Sequence, residues 1–261
     1  MVRGLEVFRD WFKGYSDQYV LIGGTAATFA MEQASLDFRA TKDLDIVLHV
    51  EVLTPAFGEA FWAFVRAGQY EHCQVSSTGK PVFYRFQRPG NRDFPAMLEL
   101  FSRPPEHFTP ARGSVLTPIP LDEAISSLSA ILLDDDYYAF ILSGRRETDG
   151  LPWIGEDRLI PLKALAWLDL SARRDQGEPV DSKDVRKHLN DVLRLSQLLT
   201  ARSSISLVDR IRSDMERFLV VLQAESSIDL KAIGVGGRVQ VSDIIERLAH
   251  AYNLEIPAGS N

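Results

Sequence analysis

A chain of 261 residues with 45% hydrophobic content can bury one large core or two modest ones, and its formal net charge of −7 argues against long-range, nonspecific attraction to nucleic acid. The lone cysteine, Cys73, forbids an internal disulfide and suits a reducing cytoplasm, where we expect the protein to reside. No apolar stretch reaches the roughly 18 residues that a membrane span requires, and the Met1-Val2-Arg3-Gly4 start runs into an amphipathic segment rather than a signal peptide.

The first expected element is a helix near residues 3–14, its apolar face built from Leu5, Val7, Phe8, Trp11 and Phe12. A strand over 19–22 then meets Gly23-Gly24, and a helix is expected over 25–34 with Thr25 at its N-cap. Next comes a strand over 44–50, preceded by Asp43, and a helix opened by Thr54-Pro55 that carries Phe57, Phe61, Trp62, Phe64 and Val65. Strands near 82–87 and 96–101 flank Pro89-Gly90-Asn91, a hairpin turn signal. A proline-rich connector over 104–120 leads to a helix over 122–133, and segments 137–142 and 151–154 read as a second hairpin. From Pro161 helices dominate to about residue 223, with one more over 242–252. These elements predict an α+β protein: an α/β domain with a small mixed sheet over 1–155, followed by a helical C-terminal domain over 156–261.

The chemistry concentrates in Asp43-Leu44-Asp45. Residues i and i+2 of a strand share a face, so the two carboxylates project side by side while Leu44 and Ile46 turn to the core. Two like charges so close call for a cation, and a hard ion such as Mg²⁺ or Mn²⁺ suits them while keeping waters and substrate phosphates as further ligands. Upstream, Gly23-Gly24 lets the backbone approach a bulky anion, and the free N–H groups at a helix start beside Thr25 favour phosphate. Glu99 is the one acid in the apolar run Ala96-Met97-Leu98-Glu99-Leu100-Phe101. It reads either as an edge-strand side chain facing water or as a base or second metal ligand that readies an attacking hydroxyl.

Lys163 falls beside the apolar positions Leu162, Leu165, Ala166 and Leu168, with Pro161 expected in the first turn of the same helix. Asp184 flanks the stripe Val185, Leu189, Val192, Leu193 and Leu195 of a helix expected over 181–199, where it serves either as a charge at the helix start or as a partner of Lys163.

Together the glycine pair, the D-x-D and the later lone acid resemble the nucleotidyltransferase superfamily with a polymerase-β-like fold. More closely, the chain resembles the AbiEii/MenA-type nucleotidyltransferase toxins of bacterial toxin–antitoxin and abortive-infection systems. The likeness rests on Lys163-Ala164-Leu165, on Lys183-Asp184 about twenty residues later, and on Arg39 and Thr41 ahead of the acids in an R-x-T-x-D-h-D pattern; it spans roughly residues 18 to 195. Eighteen residues separate Gly24 from Asp43, a longer interval than is usual in the superfamily. The resemblance implies that Gly23, Gly24 and Thr25 bind the triphosphate of an NTP, that Asp43 and Asp45 bind Mg²⁺ with Glu99 as third acid, and that Lys163 neutralises phosphate charge. Asp184 would orient Lys163 or assist proton removal. The implied activity is transfer of a nucleoside monophosphate to an acceptor hydroxyl with release of pyrophosphate, the acceptor being RNA, in particular a tRNA 3′ end, and the partner an antitoxin protein. Two other classes stay open: a small-molecule nucleotidyltransferase of the antibiotic-modifying type, and a catalytically silent nucleotide-binding module.

Residues 1–162 hold 15 basic and 22 acidic side chains, whereas 163–217 hold 11 and 9. Arg173-Arg174, Arg186-Lys187 and Arg194 are therefore candidates to receive an RNA end, or form an ordinary charged helix face. Asp134-Asp135-Asp136 reads as a solvated turn, Gly234-Val235-Gly236-Gly237 lacks the context of a dinucleotide loop, and the five histidines show no zinc-ligand spacing.

Overall fold

A computed structural model describes residues 2–72, 85–101 and 134–256. Cys73, His107, the start of the strand expected over 82–87, the connector over 104–120 and the helix over 122–133 lie outside the described residues. The chain divides into two compact units, one of Met1–Phe29 with Asp37–Gly155 and the other of Ala30–Leu36 with Glu156–Asn261.

The first unit is built on a mixed sheet. Its strands are β1 (Tyr19–Leu21), β2 (Asp43–Leu48), β3 (Glu71–His72), β4 (Arg85–Gln87), β5 (Met97–Phe101), β6 (Arg145–Thr148) and β7 (Leu151–Ile154), in the order β3-β4-β5-β2-β1-β7-β6. The pairs β2/β5 and β1/β7 run parallel and the other pairs antiparallel. Helices α1 (Leu5–Phe12), α2 (Gly23–Gln33), α3 (Pro55–Ala67) and α4 (Asp135–Ser143) complete it, with the residues of α2 from Ala30 onward clustering with the second unit.

Alternation gives the central strands two different faces. On one, Tyr19 and Leu21 of β1 pair with Leu48 and Ile46 of β2, and Leu44 and Ile46 lie opposite Leu98 and Leu100 of β5. An aromatic cluster from α1 and α3 covers this face: Phe8 meets Tyr19 edge-on at 5.5 Å, Phe12 sits 5.3 Å from Phe64, and Phe61 sits 5.7 Å from Phe86 of β4. Each such contact adds about 0.5–1.5 kcal/mol beyond the area buried, so this face anchors the unit. Thr54 caps α3 as expected, its Oγ1 accepting from the Phe57 N–H at 3.3 Å. The opposite face carries Asp43, Asp45 and Glu99.

The second expected hairpin is corrected. Residues 137–142 belong to α4, because Asp134 is an N-cap whose Oδ1 accepts from the Asp136 and Tyr137 N–H groups and so starts a helix. The acid run is thus a capped helix start, with Asp135 and Asp136 in the favourable first turn. The hairpin is instead β6 with β7, closed by Asp149-Gly150, both at positive φ (52° and 78°), as a tight two-residue connection requires.

The second unit is helical: α5 (Glu156–Asp175), α6 (Ser182–Leu195), α7 (Asp209–Ala224) and α8 (Val241–Tyr252). Trp167 of α5 meets Phe218 of α7 edge-on at 5.4 Å. Pro161 was expected in the first turn, yet α5 starts at Glu156 and carries it inside. Proline has no N–H to give the carbonyl four residues back, which is that of Asp157. The buried Tyr252 hydroxyl donates to that carbonyl at 3.1 Å. An aromatic side chain from α8 thereby satisfies the acceptor that proline leaves, and the helix continues. Among the described residues no helix is long and apolar enough to cross a membrane.

Candidate active site

The strand register assembles the acids. Asp45 of β2 lies opposite Glu99 of β5, Asp43 opposite Met97, and Glu99 in turn opposite Arg85 of β4. Directly opposed residues share a face, as do residues two apart. Asp43, Asp45, Glu99 and Arg85 therefore stand together on the face turned away from the aromatic cluster. Asp45 is buried, at 8% exposure, and Asp43 is half-buried. Because β5 runs between β4 and β2, Glu99 is not on an edge strand; its side chain is 14% exposed and ion-paired with Arg85.

The glycine turn comes down on the same acids. The Ile22 N–H donates to the Asp45 carbonyl at 3.0 Å, so the chain leaves β1 beside Asp45. Gly23 has a φ of 64°, and a Cβ there would lie 1.8 Å from Asp45 Oδ2; a Cβ on Gly24 would lie 2.4 Å from Thr41 Oγ1. Only glycine at both places allows so close an approach. Thr25, expected as the N-cap, is corrected: α2 begins at Gly23, and the Thr25 hydroxyl donates to the Asp43 carbonyl at 3.1 Å. Thr41, Asp43 and Asp45, alternate residues along one extended segment, thus meet Gly24, Thr25 and Gly23.

Ala26 donates to the Ile22 carbonyl at 3.3 Å. The amides of Gly24 and Thr25 precede it in the first turn, where a helix offers no acceptor of its own. They and the helix dipole make the turn beside Asp45 attractive to an anion.

Asp43 and Asp45 supply hard oxygen donors, and the diglycine leaves Asp45 Oδ2 against bare backbone, so this pair fits a hard divalent cation that takes its other ligands from water or phosphate. No group of three or more His, Cys, Asp and Glu close enough to hold a metal occurs among the described residues. Glu99 lies opposite Asp45 in the register and is ion-paired with Arg85.

In the second unit, Lys163 is buried and pairs with Asp191, Nζ to Oδ2 at 2.9 Å, while Arg194 approaches the other carboxylate oxygen at 3.6 Å. The expected pairing of Lys163 with Asp184 is corrected accordingly. Asp184 is exposed in the first turn of α6, where Asp181 is the N-cap. The two aspartates are seven residues apart, so they differ by two turns and only about 20° around the helix. Periodicity identified the face of α6, while the pairing falls two turns farther along.

Arg85 and Asp191 are the charged partners that sequence reasoning did not select. Asp191 had a usable signal, since it interrupts the apolar stripe Val185, Leu189, Val192, Leu193, where a lone acid needs a buried partner. Arg85 had none without the β4/β5 register. Comparison of the chain with protein-family models, with curated proteins and with solved structures finds no significant match.

Proposed function

We propose that this chain is a Mg²⁺-dependent nucleotidyltransferase that moves a nucleoside monophosphate from an NTP to an acceptor hydroxyl, releasing pyrophosphate. The observation that carries the reading is the convergence of Asp43 and Asp45 with the diglycine turn, in which a Cβ on Gly23 would fall 1.8 Å from Asp45 Oδ2. Carboxylates and anion-seeking amides set against each other suit a cation and the polyphosphate it accompanies.

In this reading Asp43 and Asp45 hold the ion, and the first-turn amides of α2 bind phosphate oxygens. The bound ion supplies charge neutralisation at the phosphate oxygens. Glu99 takes the proton of the acceptor hydroxyl or acts as a further ligand. The resemblance to AbiEii/MenA-type toxins extends the proposal to a polymerase-β-like fold, to RNA as acceptor at a tRNA 3′ end, to a neutralising antitoxin partner, and to phosphate-charge neutralisation by Lys163.

Incubation with each α-³²P-labelled NTP, Mg²⁺ and total tRNA tests it. The wild type transfers label and the folded Asp43→Ala variant does not. Absence of transfer by wild type across all four nucleotides, with tRNA and with a panel of small hydroxylated acceptors, counts against the activity.

A further inference from the structure

Across β4, β5 and β2 the acid-bearing face carries one row of charges, Arg85, Glu99 and Asp45, each opposite the next in the register. Arg85 and Glu99 form an ion pair whose side chains are 30% and 14% exposed. Partial withdrawal from water strengthens the attraction between such charges and any repulsion of a nearby cation. A guanidinium stays charged at every accessible pH and occupies carboxylate lone pairs with directed N–H donors. Those are the lone pairs a divalent ion would need from Glu99.

We infer that Arg85 is a positioning residue that competes with a divalent cation for Glu99, and so limits how tightly the carboxylate row takes up metal when no nucleotide is bound. This rests on the metal-dependent reading above. A guanidinium pairs at least as well with phosphate as with carboxylate. A polyphosphate reaching the row would therefore draw Arg85 off Glu99 and release that carboxylate to the ion. Metal and nucleotide then bind cooperatively through one arginine, and either ligand alone binds weakly.

The test is a Mn²⁺ titration of the full chain, with free Mn²⁺ read by EPR, alone and with a non-hydrolysable ATP analogue. Wild type, Arg85→Gln, Arg85→Lys and Asp45→Asn are compared. Arg85→Gln is expected to bind Mn²⁺ alone about tenfold more tightly than wild type, because a full positive charge leaves the row. It also loses most of the gain that the analogue gives wild type, while Arg85→Lys, which keeps the charge, stays close to wild type. Should Arg85→Gln fail to fold, Arg85→Met keeps the apolar stem and removes the charge, with the same expectation. Unchanged or weaker Mn²⁺ binding in a folded charge-removing variant overturns the inference, even where wild-type binding depends on Asp45. Mn²⁺ binding that Asp45→Asn leaves intact overturns the metal-dependent reading and this inference with it.

Discussion

Replacing Gly23 by alanine probes the contact on which the site depends. The backbone there has a φ of 64°, and the left-handed region costs an L-residue about 1–2 kcal/mol. The new methyl would fall 1.8 Å from Asp45 Oδ2, 2.7 Å from Cγ and 3.0 Å from Cβ, so turning the carboxylate tip alone does not relieve it. Asp45 must leave its rotamer, at about 0.5–1.5 kcal/mol. The sum, about 1.5–3.5 kcal/mol, is a sizeable fraction of a domain's stability but not all of it. Urea unfolding followed by circular dichroism should therefore show a folded protein with a lowered midpoint and an unchanged slope. Mn²⁺ affinity of that folded protein should fall along with it, because one of the two aspartates has been displaced. Wild-type stability, or wild-type Mn²⁺ affinity in a variant destabilised by the expected amount, would refute the placement of Gly23 against Asp45 or the part given to that aspartate.

Three other perturbations give expected outcomes. Tyr252→Phe removes the hydroxyl that donates to the Asp157 carbonyl in place of the N–H that Pro161 lacks, and should lower stability in urea by about 1–3 kcal/mol, the cost of weakening the satisfaction of a buried acceptor. Asp191→Asn strands the buried Lys163 ammonium and should cost about 3–5 kcal/mol, whereas Asp184→Asn, at an exposed helix start, should cost about 0.5 kcal/mol; equal effects would contradict the pairing. The Ser227 hydroxyl donates to Glu225 at 2.6 Å and, with the Ser227 amide, holds that carboxyl below its ordinary value. A depressed carboxyl contributes stability that is present above its unfolded value and is lost as pH falls through the folded one. Ser227→Ala should therefore move the Glu225 titration upward by NMR and lessen the loss of stability on acidification.

What could be read from sequence follows from the range over which each signal acts. The i, i+2 aspartates and the Thr54 cap are local signals, and their spacing alone placed them on strand and helix start, whereas the glycine pair marked the β1–α2 junction but not that α2 begins at Gly23 itself. Residues 137–142 failed as a strand because Tyr137, Tyr138, Phe140 and Ile141 are apolar in a run too short for periodicity to separate strand from helix. The Asp134 cap decided the matter. Pro161 misled because a proline inside a helix is expected only where another group serves the carbonyl it abandons, and Tyr252 lies ninety-one residues later in the chain. The partners of Glu99 and Lys163 depend on register and on which turn of one helix faces another, neither of which periodicity encodes.

The claim that Asp43, Asp45 and the diglycine turn share one ion and its polyphosphate is tested most directly by pulsed ENDOR on Mn²⁺ bound with a non-hydrolysable ATP analogue. The account predicts ³¹P couplings of phosphate bound to protein-held Mn²⁺ in wild type, and their loss in folded Asp45→Asn and Gly23→Ala. The same ³¹P spectrum in wild type and in both variants would contradict it.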